Sequence, residues 1–186
     1  MDVVHIPGLL TSIECAFYRD MIDMEIQNEK VWLRPDVDTL NNPITSFLAN
    51  ILAKRGILYN IVGNVVTVGR YTKGESLQKH ADHPYQGDST HVLLIYLNTL
   101  DNNNTNGVTC GDCGDCGDCS DCGDCGDCSC CGGETLFYKH MTDINVETSV
   151  SPLEGKAIIF GIYKPHEAST VLHGHKYILG CELSKF

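Results

Sequence analysis

The sequence has no apolar run approaching the roughly 20 residues needed to cross a bilayer. Its opening, MDVVHIPGLLTSIECAFYRD, lacks the basic start and unbroken apolar core of a secretory signal. A membrane-spanning or exported chain is therefore not expected, and the protein reads as cytoplasmic. Basic residues are scarce: 13 Lys and Arg stand against 24 Asp and Glu, a net charge of −11. That balance argues against nucleic acid or an anionic membrane surface as a partner. Six aspartates of one repeat account for −6 of the total and leave −5, so the remainder is only mildly acidic. Cysteine is nearly absent outside that repeat, at Cys15 and Cys181 alone. No disulfide framework spreads over the fold, and thiols in the cytosol serve as ligands or passengers rather than bridges.

What is present fits one domain over residues 1–186, long enough to bury a core without staples. In residues 8–28, Thr11-Ser12-Ile13-Glu14 places a capping hydroxyl three residues before an acid. Leu9, Leu10, Ile13, Phe17, Met21, Ile22 and Met24 then recur near helical spacing, which predicts an amphipathic helix. A second helix is predicted over Pro43 to Lys54, with Ile44, Phe47, Leu48, Ile51 and Leu52 on one face. Beyond Ile57 the texture changes. Val65–Val68, His91–Leu97, Thr135–Tyr138, Ala157–Ile162 and Lys176–Leu183 are short β-branched or aromatic runs divided by Gly, Asn, Asp and Pro. Helices followed by many short strands predict an antiparallel sandwich or barrel, mainly β, with helices packed on one side.

The repeat itself, CGDCGDCGDCSDCGDCGDCSCC at 110–131, holds nine of the eleven cysteines. Cys-x-x-Cys pairs hold zinc, and strings of them also take up copper(I). True sites, however, set two such knuckles across a spacer, whereas this tract has one monotonous period and no apolar residue. With Asp101–Gly107 before it, the stretch 101–131 reads as a disordered low-complexity insertion between two strands, with adventitious metal binding as the second reading. A metal-buffering protein centred on that tract is the rival from another functional class.

His80-Ala81-Asp82 carries the chemistry. On extended backbone, residues i and i+2 share a face, so an imidazole and a carboxylate converge on one point. A second histidine from a distant strand would complete two nitrogens and one oxygen, the set that suits non-haem Fe(II) with open positions. His5, His91 and His140 read as surface or core side chains, and His83 as a solvated rim residue. His166, His173 and His175 are the contenders for the second histidine.

The order of motifs settles on a family. Arg70-Tyr71-x-x-Gly74 is followed by His80-x-Asp82, Tyr96-Leu97-Asn98 and Gly132-Gly133-Glu134-Thr135-Leu136-Phe137. Then come Pro152-x-x-Gly155-x-Ala157-x-x-Phe160 and His166-Glu167-x-x-x-Val171-x-x-Gly174-x-Lys176-Tyr177-x-Leu179. Over about residues 60–183 this closely resembles the prolyl 4-hydroxylase branch of the 2-oxoglutarate/Fe(II)-dependent dioxygenases. A weaker echo lies in Ile6-Pro7-Gly8-Leu9-Leu10. The resemblance implies a double-stranded β-helix (jelly-roll) core behind N-terminal helices. It makes His80, Asp82 and His166 the iron ligands, since His166 alone stands at the family's distance before Lys176. It makes Lys176 the partner of the distal carboxylate of 2-oxoglutarate, with Tyr71, Thr135 and Tyr96 lining the cosubstrate pocket. It also implies Fe(II), 2-oxoglutarate and O2 as cofactor and cosubstrates, with ascorbate as an added reductant. The implied reaction is hydroxylation of an unactivated C–H bond, first of all in a prolyl residue of a protein or peptide, with succinate and CO2 as co-products. A free amino acid or another side chain is the second substrate reading. One departure stands out: the family often carries Gly shortly after the distal His, where this chain has Ala168.

Overall fold

The computed structural model describes residues 2–25, 43–84, 87–100 and 132–185. The Cys-rich tract, and the predicted extension of the first helix to residue 28, lie outside the described residues. In chain order the elements are β1 (Val4–Ile6), α1 (Ser12–Glu25), α2 (Pro43–Lys54), β2 (Tyr59–Thr72), β3 (Leu77–His80) and β4 (His91–Tyr96). They continue with β5 (Thr135–Phe137), β6 (Thr148–Val150), β7 (Ala157–Gly161), β8 (His166–Ala168) and β9 (His175–Lys185). Every pairing is antiparallel: a five-stranded sheet β1-β7-β4-β9-β2 faces a four-stranded sheet β3-β8-β5-β6. This is the jelly-roll core with helices on one side.

Strand alternation explains how one sheet supports two hydrophobic layers. Along β4, Leu93 and Ile95 pack into the cluster shared with the helices, while Val92, Leu94 and Tyr96 join the cluster between the sheets. β7 repeats the rule, with Ala157 and Ile159 on the helix side and Ile158 and Phe160 on the inner side. A sheet covered on both faces needs apolar residues at both parities, which is why these strands read as continuous apolar runs. Each large aliphatic side chain so buried contributes roughly 1.5–3 kcal/mol.

The helices sit where the sequence puts them, but the first turns a different face inward. The capping box at Thr11 forms: the Glu14 backbone N–H donates to Thr11 Oγ1 (3.3 Å), and the Thr11 N–H donates to Glu14 Oε2 (2.7 Å). The helix runs Ser12–Glu25, so Leu9 and Leu10 are buried in the chain that leads into it rather than on it. Its buried face is Cys15, Tyr18 and Ile22, whereas Ile13, Phe17 and Met24, predicted to face the core, are exposed. Ile13, Phe17 and Met24 lie roughly opposite Cys15 and Ile22 at about 100° per residue, so only one of the two apolar faces could be buried. Polar ties decide which: Arg19 bonds Leu97 O and Glu154, and Tyr177 Oη donates to the Asp23 carboxylate (2.9 Å). In α2 the predicted face is the buried one, led by Leu48 and Leu52.

Gly132 and Gly133 launch β5 with φ of 65° and 77°. Gly132 bridges Val171, and a Cβ there would stand 2.0 Å from the Thr170 carbonyl oxygen. Gly132→Ala is expected to lower the thermal midpoint by several degrees, because left-handed backbone and a backbone clash act together. A thermal unfolding scan with an unchanged midpoint would show that the turn relaxes freely.

Candidate active site

Three side chains converge between the sheets. His80 ends β3 and His166 begins β8, and these two residues are paired across the ladder. Asp82 stands in the segment that leaves β3. One ligand atom from each of His80, Asp82 and His166 lies within 4.8 Å of the others. His80 Nε2 is 3.6 Å from Asp82 Oδ1, and His166 Nε2 is 3.8 Å from Asp82 Oδ2.

The tautomers follow from the neighbours. His80 Nδ1 lies 2.8 Å from Gln78 O, and His166 Nδ1 lies 2.9 Å from Lys164 O. A carbonyl oxygen only accepts, so in both rings Nδ1 carries the hydrogen and Nε2 in the neutral ring keeps its lone pair for the cluster. Burial, the largest influence, pushes the His166 pKa down and favours that neutral form, with His80 and Lys176 adding to it. Phe160 meets the His166 ring edge-on at 4.9 Å and Phe137 lies tilted against it at 5.9 Å, which fixes its orientation. Two imidazole nitrogens and a carboxylate held this way fit an octahedral ion with open coordination positions.

A cavity of about 430 Å³ joins the cluster to Lys176. Its walls include Leu77 and Thr135 from the smaller sheet, and Tyr71, Val92, Leu94, Phe160 and Ile178 from the larger. Lys176 is 1% exposed, and its hydrogen bond among the described residues is to Thr135 Oγ1 at 3.4 Å. Desolvation drives its pKa down to about 7, with Glu134 opposing. Tyr71 presents its ring 5.4 Å from the ammonium. Tyr96, fully buried, is not among the residues lining the cavity: its hydroxyl donates to Thr135 Oγ1 at 2.8 Å from one layer behind. Thr135 thus accepts from both Tyr96 and Lys176, so its own hydroxyl hydrogen is the group left to point at a bound anion.

The other histidines separate as expected from their surroundings. His173 sits in the β8–β9 connection and His175 begins β9, both at the Lys176 end, and neither is part of the three-residue cluster. His91 is buried with its ring 5.0 Å from Tyr59, and His5 and His140 are exposed. His83 is exposed at the cavity rim. Ala168 lies in the inner core and lines the cavity. One lining residue carries no signal in a motif reading: Glu182, on the inner face of β9. Its only local sign is the period-2 alternation that sets it on the same face as Lys176.

No family profile matches the chain, and no curated protein matches it in sequence. Solved structures do share its fold. A viral collagen prolyl hydroxylase from Paramecium Bursaria Chlorella virus-1, solved with 2-oxoglutarate, is 19% identical over 99% of this chain and 96% of that one, with a TM-score of 0.59. A Pseudomonas putida prolyl-4-hydroxylase is 12% identical over 99% and 92%, with a TM-score of 0.59. A Trichoplax adhaerens prolyl hydroxylase, in complex with a peptide fragment of hypoxia-inducible factor, is 15% identical over 98% and 83%, with a TM-score of 0.60. The chain has the fold of the prolyl hydroxylases and 2-oxoglutarate/Fe(II) oxygenases.

Proposed function

We propose that the protein is a 2-oxoglutarate- and Fe(II)-dependent dioxygenase that hydroxylates a prolyl residue of a protein or peptide. The observation that carries this reading is the pairing, in one cavity, of a two-histidine, one-carboxylate cluster with a fully buried lysine. Among the described residues no carboxylate comes within salt-bridge distance of Lys176, and an ammonium held out of water is costly until an anion reaches it. A dicarboxylate that chelates the metal at one end and meets Lys176 at the other satisfies both groups at once.

In this reading His80, Asp82 and His166 hold Fe(II). Bound there with 2-oxoglutarate and O2, the metal supplies the oxidising chemistry that places a hydroxyl on an unactivated C–H bond, leaving succinate and CO2. The chain positions and shields. Gln78 O and Lys164 O hold the ligand tautomers, while Phe160 and Phe137 keep water from the metal's inner side. Lys176 and the Thr135 hydroxyl bind the far carboxylate, Tyr71 walls it, and Tyr96 orients Thr135. Ascorbate belongs to the proposal as a reductant that sustains turnover.

A peptide rather than a free amino acid suits the outer surface. The loop after β5 and the loop before β8 leave the smaller sheet at its His166 end, and the Lys164–Glu147 ion pair ties them together. They expose Ile144 at 89% and Tyr163 at 65%, apolar surface that an extended chain can cover.

Purified protein incubated with Fe(II), 2-oxoglutarate and proline-containing peptides should form succinate together with peptide one oxygen heavier, by mass spectrometry. Removing residues 101–131 should leave that turnover intact. If the shortened chain loses activity, or the full chain binds thiophilic metal tightly while making no succinate, the metal-buffering alternative replaces this reading.

A further inference from the structure

Gly180 stands in the middle of β9, where a glycine weakens a strand and offers no side chain to pack. The backbone does not ask for it. Gly132 needs its left-handed φ of 65°, and a Cβ there would stand 2.0 Å from a carbonyl oxygen. Gly180 is not among the glycines of positive φ. A Cβ on it would meet Leu93 O at 3.4 Å, Leu94 Cδ1 at 3.8 Å and Thr67 O at 3.9 Å. These are ordinary contacts, and the three nearest atoms all belong to neighbouring strands of the same sheet. An alanine therefore fits the fold at this position. What a side chain would take away is space in the cavity.

That space is an unfilled part of the sandwich. Gly180 pairs with Thr67 of β2 on one side and Leu94 of β4 on the other, and Val92 shares the inner face of β4 with Leu94. All four line the cavity. On β4 the helix-side residues Leu93 and Ile95 are 0% exposed, whereas the inner residues Val92 and Leu94 are only half-buried. A central strand between two layers is buried on both faces wherever the facing layer is complete. Here the smaller sheet leaves an uncovered floor of Thr67, Val92, Leu94 and bare Gly180 backbone. Cys181 packs in the helix-side cluster and yet also lines the cavity, so the wall at this point is the strand's own backbone. Lys176 lies four residues back along β9, roughly 13 Å of extended chain, so the floor is outside the cosubstrate's anchor. His80, Asp82 and His166 stand in the other walls of the same cavity.

We propose that Gly180 is a specificity residue: it lets the ring of the target residue lie on strand backbone, and so sets how large a residue is hydroxylated. The inference rests on the hydroxylase reading and narrows what its site accepts to an uncharged, compact cyclic residue of a peptide. A largely apolar floor with one hydroxyl at its edge and no charge suits a pyrrolidine ring. Close approach of a ligand to the backbone is what a glycine inside a strand permits.

The test combines Gly180→Ala and Gly180→Val with peptides identical except for the target residue: azetidine-2-carboxylic acid, proline or pipecolic acid, in order of increasing ring size. Binding to the Fe(II)- and 2-oxoglutarate-loaded protein is measured by calorimetry under nitrogen, and KM from succinate formation in air. Each enlargement at position 180 should move the preference toward the smaller ring. Gly180→Val should weaken the proline peptide by roughly tenfold or more, and the azetidine peptide least. The affinity for 2-oxoglutarate should stay at the parent value, and the thermal midpoint of Gly180→Ala should not fall. A ring-size preference identical in the parent and both variants, or a parent chain that binds none of the peptides, overturns the inference. So does a lowered midpoint in Gly180→Ala, which would assign the glycine to the fold instead. Peptide binding without succinate would overturn the hydroxylase reading, while the ring-size ratio measured under nitrogen would still decide the role of Gly180.

Discussion

Replacing His166 by alanine is expected to abolish Fe(II)-dependent succinate formation and to weaken Fe(II) binding by at least about two powers of ten. Losing a residue that only orients a metal ligand already costs 10–100-fold in related sites, and here a ligand itself is lost. The remaining pair, His80 and Asp82, leave one face of the ion without its inner donor. His166 is also packed between Phe137 and Phe160, so the alanine leaves a void as well. His166→Gln fills most of that space and should bind iron as poorly, which separates lost coordination from lost packing. His173→Ala, outside the cluster, should bind iron like the parent chain. Calorimetric titration of Fe(II) under nitrogen reads all three. Normal affinity in both His166 variants would remove His166 from the metal site.

That experiment bears on a residue whose chemistry was more legible than its structural setting. His80 and Asp82 announce themselves by their i, i+2 spacing, and the pair does converge. The strands that bring the third donor to them were not visible. β3 and β8 have four and three residues, too few to show a period, so nothing in Leu77–His80 or His166–Ala168 says strand except the partners they find. The long strands were plain because both of their faces are buried, which makes β4 and β7 near-continuous apolar runs. In α1 the pattern offered two apolar faces, and the choice came from Arg19 and Asp23 gripping the sheet, long-range contacts that no local period encodes. Glu182 shows the same limit from the other side. Gly180, Glu182 and Ser184, alternating with Leu179, Cys181 and Leu183, look like a solvent-facing row, and only the second sheet, folded over that row, makes Gly180 and Glu182 part of a cavity wall.

Lys176→Met is expected to raise the dissociation constant for 2-oxoglutarate by about ten- to a hundredfold while Fe(II) still binds. A charge-assisted hydrogen bond is worth roughly 1.5–3 kcal/mol, which sets that range. The same change should stabilise the protein without ligand, and the pH dependence shows why. In the unfolded chain a lysine titrates near 10.4; buried here, Lys176 titrates near 7 because desolvation penalises its charged form. Between those values the unfolded state holds a proton that the folded state has released. Stability of the ligand-free protein therefore rises with pH across that window, by up to about 1.4 kcal/mol per unit, and the burden is fully present below pH 7. Lys176→Met has no such proton to lose, so its advantage over the parent should be largest near neutrality and shrink toward pH 10. Binding follows the opposite sign. A dianion that needs the ammonium must draw a proton back onto Lys176 above pH 7, so the parent's affinity for 2-oxoglutarate should fall as pH rises from 7 to 9. In Lys176→Met that slope should vanish. Lys176→Arg keeps its charge throughout the range and should bind more tightly than the methionine variant, again without the slope. Chemical denaturation and anaerobic 2-oxoglutarate titration across pH 7–9 give both signs. A parent chain whose affinity is flat with pH, alongside a methionine variant no more stable than it, would place Lys176 outside the carboxylate pocket.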